Sequence, residues 1–207
     1  MDTAQVTRGV VFIAYGLRAQ QETAQAAKFL AQHNDLPVVV IGEDVLGLKS
    51  IDFLGRDSLG RWAKVNLDNL TPFEYTLYLD ADTRVHGDIS AGFDIIEDGW
   101  DIAMTPSTVQ GDGILWHIDK VEREATFLEL GRDLLQLQGG VMFFRKDAAV
   151  TAFFEAWRYE WERWQGQDQG ALLRALHQRP VKLWLLNNEW NGGGLIEHRY
   201  GAAKHRP

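Results

Sequence analysis

Two short apolar runs near the start of the chain, separated by one helix-length segment, constrain the fold more than any other feature. Val10-Val11-Phe12-Ile13-Ala14 is continuous, rich in β-branched residues and closed by Tyr15-Gly16, which is how a strand buried on both faces of a parallel sheet reads. Residues 19–32 then carry Ala24, Ala27, Leu30 and Ala31 at helical spacing among good helix formers. Leu36-Pro37-Val38-Val39-Val40-Ile41-Gly42 is a second buried run ended by glycine. Strand, helix and strand at this spacing make a βαβ unit, whose crossover is right-handed. The expected class is α/β: a mostly parallel central sheet flanked by helices, in a single domain over residues 1–207.

The rest of the chain continues the alternation. Residues 42–60 are punctuated by glycine and turn residues and read as loop with at most a short strand. Residues 61–70 read as one helix, offering Trp62, Val65, Leu67 and Leu70 to the core. Residues 73–79 form a strand that runs directly into Asp80-Ala81-Asp82-Thr83. Residues 102–105 are a strand, 109–115 a glycine-rich loop and 121–130 a helix. Residues 135–145 read as two strand segments joined at Gly139-Gly140, where the backbone turns or admits a ligand. Asp147 is placed to cap a helix over 148–164, a further helix starts near Asp168, and 181–186 is a last strand. The tail, 187–207, is glycine-rich, aromatic and basic.

Composition narrows the chemistry. There is no cysteine, which removes disulfides, thiolate metal sites and cysteine nucleophiles and leaves carboxylates, histidine and other oxygen ligands. Twenty-nine acidic residues against 21 basic give a formal charge of −8, so the chain needs a local basic patch or a divalent cation to hold phosphates, and duplex nucleic acid is not an expected partner. No apolar run approaches the roughly 18 residues of a membrane span, and the leader lacks the basic flank of a signal peptide. A cytoplasmic protein is expected.

Asp80 and Asp82 flank one small residue at the C-terminal end of a strand. That spacing lets both carboxylates reach one hard cation, Mn2+ or Mg2+, able in turn to hold a diphosphate. The competing reading is a plain strand exit, where aspartate is common. Near the C-terminus His198, Gly201 and Lys204 recur at intervals of three. An imidazole can complete a metal shell, a glycine lets backbone amides approach a phosphate, and a lysine neutralises one. Read by itself, that segment is equally a solvated end.

Taken together these residues carry a resemblance. Leu77-Tyr78-Leu79-Asp80-Ala81-Asp82 resembles the DxD strand of GT-A fold glycosyltransferases, and His198-x-x-Gly201-x-x-Lys204 resembles the HxxGxxK signature of the family 8 type, the relatives of glycogenin and bacterial galactosyltransferases. Gln138-Gly139-Gly140-Val141 is similar to that family's Asn-x-Gly-Val segment, with glutamine in place of asparagine. Asp168-Gln169 is similar to its Asp-Gln pair, and Ala14-Tyr15-Gly16 occupies the place of its nucleotide-base strand. The family's Pro-Trp after the lysine is here His205-Arg206-Pro207. The chain ends there, so a C-terminal membrane- or acceptor-binding extension is not expected.

The resemblance implies that Asp80, Asp82 and His198 bind Mn2+ or Mg2+, which bridges the diphosphate of a nucleotide sugar, a UDP-sugar in most such proteins. It implies that Lys204 with the Gly201 backbone steadies the leaving diphosphate, and that Asp168 or Gln169 acts at the anomeric carbon during transfer with retention to a hydroxyl acceptor. Gln138, Gly139 and Gly140 would line the sugar, Ala14, Tyr15, Gly16 and Ala81 the nucleotide side, and residues 187–207 would close the donor site. Lys64 and Arg61 are candidates to touch nucleotide or phosphate, or else solvated helix charges.

His86, His117 and His177 have no partner spacing and read as structural or surface residues, and Trp157, Trp161 and Trp164, at helical spacing, read as core. Trp190 before Gly192-Gly193-Gly194 is a candidate closing loop. Competing functions are a non-catalytic sugar-nucleotide or glycan-binding module and a nucleotidyltransferase, although no glycine-rich, lysine-bearing phosphate loop follows the first strand. A haloacid-dehalogenase-like phosphatase fits poorly, because Asp80-x-Asp82 lies far from the N-terminal strand.

Overall fold

The structure is a computed structural model that describes residues 8–53 and 59–201. β1 (Arg8–Ala14), α1 (Leu17–Ala31) and β2 (Val38–Gly42) form the βαβ unit read from the sequence, with β1 and β2 parallel and Val10 opposite Val38. β3 (Lys49–Ile51) adds the short strand on the outer side of β2. α2 (Leu59–Lys64) and α3 (Leu67–Leu70) lead into β4 (Tyr75–Leu79), which lies on the other side of β1. β5 (Thr83–Val85) follows, then α4 (Ser90–Glu97), β6 (Ile102–Pro106), α5 (Lys120–Leu130), β7 (Leu137–Arg145), α6 (Ala148–Trp164), α7 (Asp168–Gln178), β8 (Leu183–Leu185) and β9 (Ile196–His198).

Seven strands make the main sheet in the order β3-β2-β1-β4-β7-β6-β8. Pairing is parallel except at β7, which is antiparallel to both β4 and β6. The reversal matters for function, because it brings the N-terminal half of β7 to the edge where the other strands end. Both faces are covered, as continuous apolar strands require. Val10 and Phe12 of β1 pack with Ala26, Ala27 and Leu30 of α1 and with Phe93 and Ile96 of α4. Val11 and Ile13 point the other way, into a core with Val65, Phe153, Phe154, Trp157 and Leu172. Burying each such side chain stabilises the fold by about 1.5–3 kcal/mol. Trp157 and Trp161 are core residues, and Asp147 caps α6 by accepting the Val150 N–H at 2.9 Å.

Three local expectations change. The single helix over 61–70 is broken into α2 and α3 at Val65–Asn66. Val65 and Leu67 are both fully buried, yet residues two apart on a helix lie about 200° apart around it; the break lets both face the core. The two segments expected over 135–145 are one strand, β7, and the glycine pair acts on its pairing instead. Met104 of β6 faces Met142, but the next residue, Thr105, faces Gln138, so Gly139 and Gly140 lie in an irregularity of the ladder. Within the tail, Ile196–His198 forms β9, which pairs antiparallel with β5, Thr83 opposite His198.

Candidate active site

Asp80 directly follows β4, beside the point where the sheet order reverses between β1 and β4, and open α/β sheets bind ligands in that crevice. A cleft of about 900 Å³ opens there. The Asp80 N–H donates to the Gly140 carbonyl of β7 at 2.8 Å. Pairing of β5 with β9 then carries His198 across to the two aspartates: its Nε2 lies 3.2 Å from Asp82 Oδ1 and 3.7 Å from Asp80 Oδ2. One ligand atom from each of the three lies within 4.8 Å of the others.

The histidine is held from behind. Asn191, 1% exposed, accepts from His198 Nδ1 at 2.7 Å through Oδ1 and donates through Nδ2 to Thr105 Oγ1 at 3.1 Å. With the amide nitrogen on Thr105, the Asn191 oxygen takes the Nδ1 proton, and Nε2 is turned toward the two carboxylates. Tyr200 stacks on the imidazole at 4.1 Å between centroids and donates from its hydroxyl to the Asn191 carbonyl. Asp82 is largely buried. Burial opposes its ionisation, but the His198 hydrogen bond and charge and the Gly201 N–H lower its pKa to about 2. Two carboxylates and one imidazole nitrogen aimed at one point are a donor set that fits a divalent cation.

Gly140 shows how tightly the set is packed. A Cβ there would lie 2.8 Å from His198 Nδ1 and 2.9 Å from Asp80 Oδ2, so only glycine lets β7 pass behind the ligands.

A second group adjoins the first. Lys64 of α2 places Nζ 3.2 Å from Asp168 Oδ2 and 3.4 Å from Asp80 Oδ1. Burial favours the neutral amine, but Asp168 and Asp80 outweigh it and raise the lysine pKa. Asp168, at the start of α7, is likewise buried, yet Lys64 and Arg61 hold its carboxyl below the ordinary carboxylate range. Trp157 Nε1 donates to the Asp168 carbonyl and Trp161 Nε1 to that of Gly166, so the core tryptophans fix the turn that delivers Asp168. Gln169 Nε2 donates to the Leu137 carbonyl at 3.2 Å and to Gln138 Oε1 at 3.3 Å. Tyr78, two residues before Asp80 on the same strand face, donates to Asp80 Oδ1 at 2.5 Å, and burial next to that carboxylate pushes its pKa well up.

Thus Asp80, Ala81, Asp82, Lys64, Gln138, Gly139, Gly140, Asp168, Gln169, His198 and Gly201 all line one cleft, with Tyr15 at its β1 end. The Tyr15 hydroxyl donates to the Phe53 carbonyl, and burial, with Asp52 and Glu43 adding, raises its pKa to about 12. Ala14 is buried within β1, and Gly16 lines a neighbouring groove, its N–H on Glu43 Oε2. The Gly201 N–H donates to Asp82 Oδ2 at 2.6 Å, because β9 carries the tail back across the aspartates. One expectation needs correction. Trp190 does not close over the cleft: it packs edge-on against Phe143 at 5.5 Å, part of the frame that seats Asn191. Lys204 lies outside the described residues. Sequence reading missed Asn191, Tyr78 and Tyr200. Of these only Tyr78 left a signal, a polar ring two positions from Asp80 in a strand of period two.

No protein-family model and no curated protein matches the chain. Solved structures do. WbbM, a bifunctional glycosyltransferase, superposes with TM-score 0.69 at 14% identity over 91% of this chain. The glycosyltransferase GlyE of Streptococcus pneumoniae TIGR4 does so with TM-score 0.63 at 17% identity over 93%. The galactosyltransferase LgtC, solved with donor and acceptor sugar analogues, gives TM-score 0.60 at 16% identity over 87% of this chain and 74% of its own. The chain spans 40% of WbbM and 54% of GlyE. At these identities the shared property is the fold. No helix among the described residues is long and apolar enough to cross a membrane.

Proposed function

We propose that this chain is a metal-dependent glycosyltransferase of the GT-A, family 8 type, moving a sugar with retention from a nucleotide diphosphate sugar, a UDP-sugar, to a hydroxyl acceptor. The observation that carries the reading is the convergence of Asp80, Asp82 and His198 in one cleft with the Lys64–Asp168 pair. The fold shared with WbbM, GlyE and LgtC supports it.

In the reaction the acceptor hydroxyl oxygen forms a bond to the anomeric carbon, and the bond from that carbon to the diphosphate oxygen breaks with its electron pair staying on the diphosphate. The hydroxyl proton passes to that departing oxygen, so no strong base is needed on the far face. Asp80, Asp82 and His198 hold the divalent ion, which when bound neutralises the leaving diphosphate as a Lewis acid. Asn191 keeps His198 in the ligating tautomer. Lys64 keeps Asp168 ionised where positive charge grows on the anomeric carbon, and a carboxylate fixed in place before the reaction stabilises such charge without reorganising. Gln169, tied to the β7 backbone, positions the sugar against Gly139. Tyr15 marks the nucleotide end, Lys204 serves the leaving diphosphate, and residues 187–207 close the donor site through the clamp of Arg199 and Gly201 N–H groups on Asp82.

The test is a thermal-shift and calorimetric screen of UDP, GDP, CMP and their sugars with and without Mn2+. A ligand at 100-fold excess over its dissociation constant stabilises by about 2.7 kcal/mol. Stabilisation by UDP compounds that requires Mn2+ and vanishes in Asp82→Ala supports the reading. No response to any nucleotide, with Asp82→Ala behaving as wild type, contradicts it.

A further inference from the structure

The cleft has a second end. Across the sheet edge its wall runs from Tyr15 beyond β1, past the aspartates beyond β4 and the glycine pair of β7, to the segment between β6 and α5. There Trp116 is 66% exposed while lining the cleft, beside His117 at 5.7 Å between ring centroids in an edge-to-face arrangement. What sets this indole apart from the chain's other exposed apolar side chains is that it lines the cleft, on a loop that is firmly held.

Leu115, immediately before it, is fully buried and has a φ of 55°, in the left-handed region that a branched side chain enters only under constraint. Three features hold it there. Its side chain fills a satellite core with Ile114, Ile118, Phe127 and Leu173. Its N–H donates to Gln136 Oε1 at 2.6 Å, and Gln136 Nε2 donates in turn to Ser107 Oγ. Gln110 ties the same loop twice more, donating to the Ser107 and Gln136 carbonyls. Buried Leu115 and Ile118 therefore bracket an outward Trp116-His117 pair on a fixed loop. Strained residues held by their surroundings cluster at ligand sites, and here the strain sets the direction of the neighbouring indole.

We infer that Trp116 is the platform of the acceptor subsite and that the acceptor presented there is a saccharide. This rests on the reading of the cleft as a sugar-transfer site. If the nucleotide occupies the Tyr15 end and the metal set lies in the middle, the remaining end receives the acceptor. The chemistry of that end selects its class. A flat apolar face packs against the axial C–H groups of a pyranose, while Thr108 and the Gln138 amide along the same wall can hydrogen-bond equatorial hydroxyls. A lipid tail would make no use of those polar groups.

The experiment compares wild type, Trp116→Ala and Trp116→Phe with two readouts. Calorimetry of UDP with Mn2+ follows the donor end. Saturation-transfer NMR with UDP and Mg2+ present follows methyl α- and β-glucosides, methyl α- and β-galactosides, lactose and maltose. The expected result is saturation of ring C–H protons of at least one saccharide, with its Kd raised about tenfold or more in Trp116→Ala and largely restored in Trp116→Phe, while UDP affinity stays within about twofold. Melting temperature checks the fold of each variant. Binding of a saccharide equally well by Trp116→Ala, or no saccharide saturated in the wild type, overturns the inference. So does a loss of UDP affinity in Trp116→Ala, which would assign the indole to the donor. Failure of the donor reading is seen separately, as wild type that binds no UDP.

Discussion

Replacing Gly140 by alanine isolates the metal set from the rest of the fold. Gly140 lies in β7 outside the left-handed region, so alanine carries no conformational penalty and restricts the unfolded chain, a gain of about 0.4–1 kcal/mol. Against it stands the new methyl group, 2.8 Å from His198 Nδ1, 2.9 Å from Asp80 Oδ2 and closer still to Cε1. Carbon contacts are comfortable at roughly 3.5–4.0 Å, so the ring or the carboxylate must retreat by about 1 Å. His198 has nowhere to go, with Asn191 on Nδ1 and Tyr200 stacked on its face. Overpacking of this kind costs about 1–3 kcal/mol, leaving a folded protein. Displacing a ligand or its support lowers metal affinity about 10–100-fold, or roughly 1.4–2.7 kcal/mol. The control is the adjacent glycine. A Cβ at Gly139 meets Lys64 Nζ at 3.2 Å, the far end of a flexible side chain, and Asp168 Oδ2 at 3.7 Å, so Gly139→Ala binds metal within about twofold of wild type. Titration of Mn2+, following the electron paramagnetic resonance signal of the free ion, distinguishes them. Equal affinities for Gly140→Ala and wild type, or equal losses in the two variants, refute the reasoning.

Other expectations follow from the same geometry. Asn191→Leu frees the His198 tautomer and lowers Mn2+ affinity about 10–100-fold, and 15N NMR of the imidazole reports the lost preference for a protonated Nδ1. Lys64→Met leaves Asp168 and Asp80 without the cation between them, so urea melts lose stability, by less than the roughly 3–5 kcal/mol of a fully buried pair because both carboxylates reach the cleft; an unchanged midpoint contradicts the pairing. Asp168 has a lowered pKa in the folded state, so its contribution is present above the unfolded value near 3.9 and is lost as pH falls below it. The stability gap between wild type and Asp168→Asn therefore narrows as thermal melts are taken from pH 6 to pH 3, and a gap independent of pH contradicts the ion pair.

The parts of this fold with strong periodicity were legible in the sequence. The apolar runs of β1 and β2, the Asp147 cap and the aspartates at the end of β4 all follow from local patterns that tertiary structure had no reason to override. The β5–β9 ribbon was not legible, because three-residue strands carry no period and their pairing partners lie far apart in the chain. The break at Asn66 escaped for the opposite reason: each half has helical propensity, and only the competing demand to bury both Val65 and Leu67 divides them. In the site, the charged residues were visible as motifs, while Asn191 acts through one side chain contact that no spacing announces. The Gly201 N–H on Asp82 likewise depends on where β9 lies, which no local pattern announces.

The most direct test of the central claim needs no acceptor. Glycosyl transfer to water is the same bond exchange with a poorer nucleophile, so chromatography of UDP-, GDP- and CMP-sugars incubated with the protein and Mn2+ reads it directly. The account predicts slow release of UDP and free sugar from a UDP-sugar, abolished by a chelator and by Asp82→Ala. A wild-type protein that binds Mn2+ yet releases no nucleotide from any of these sugars would contradict it.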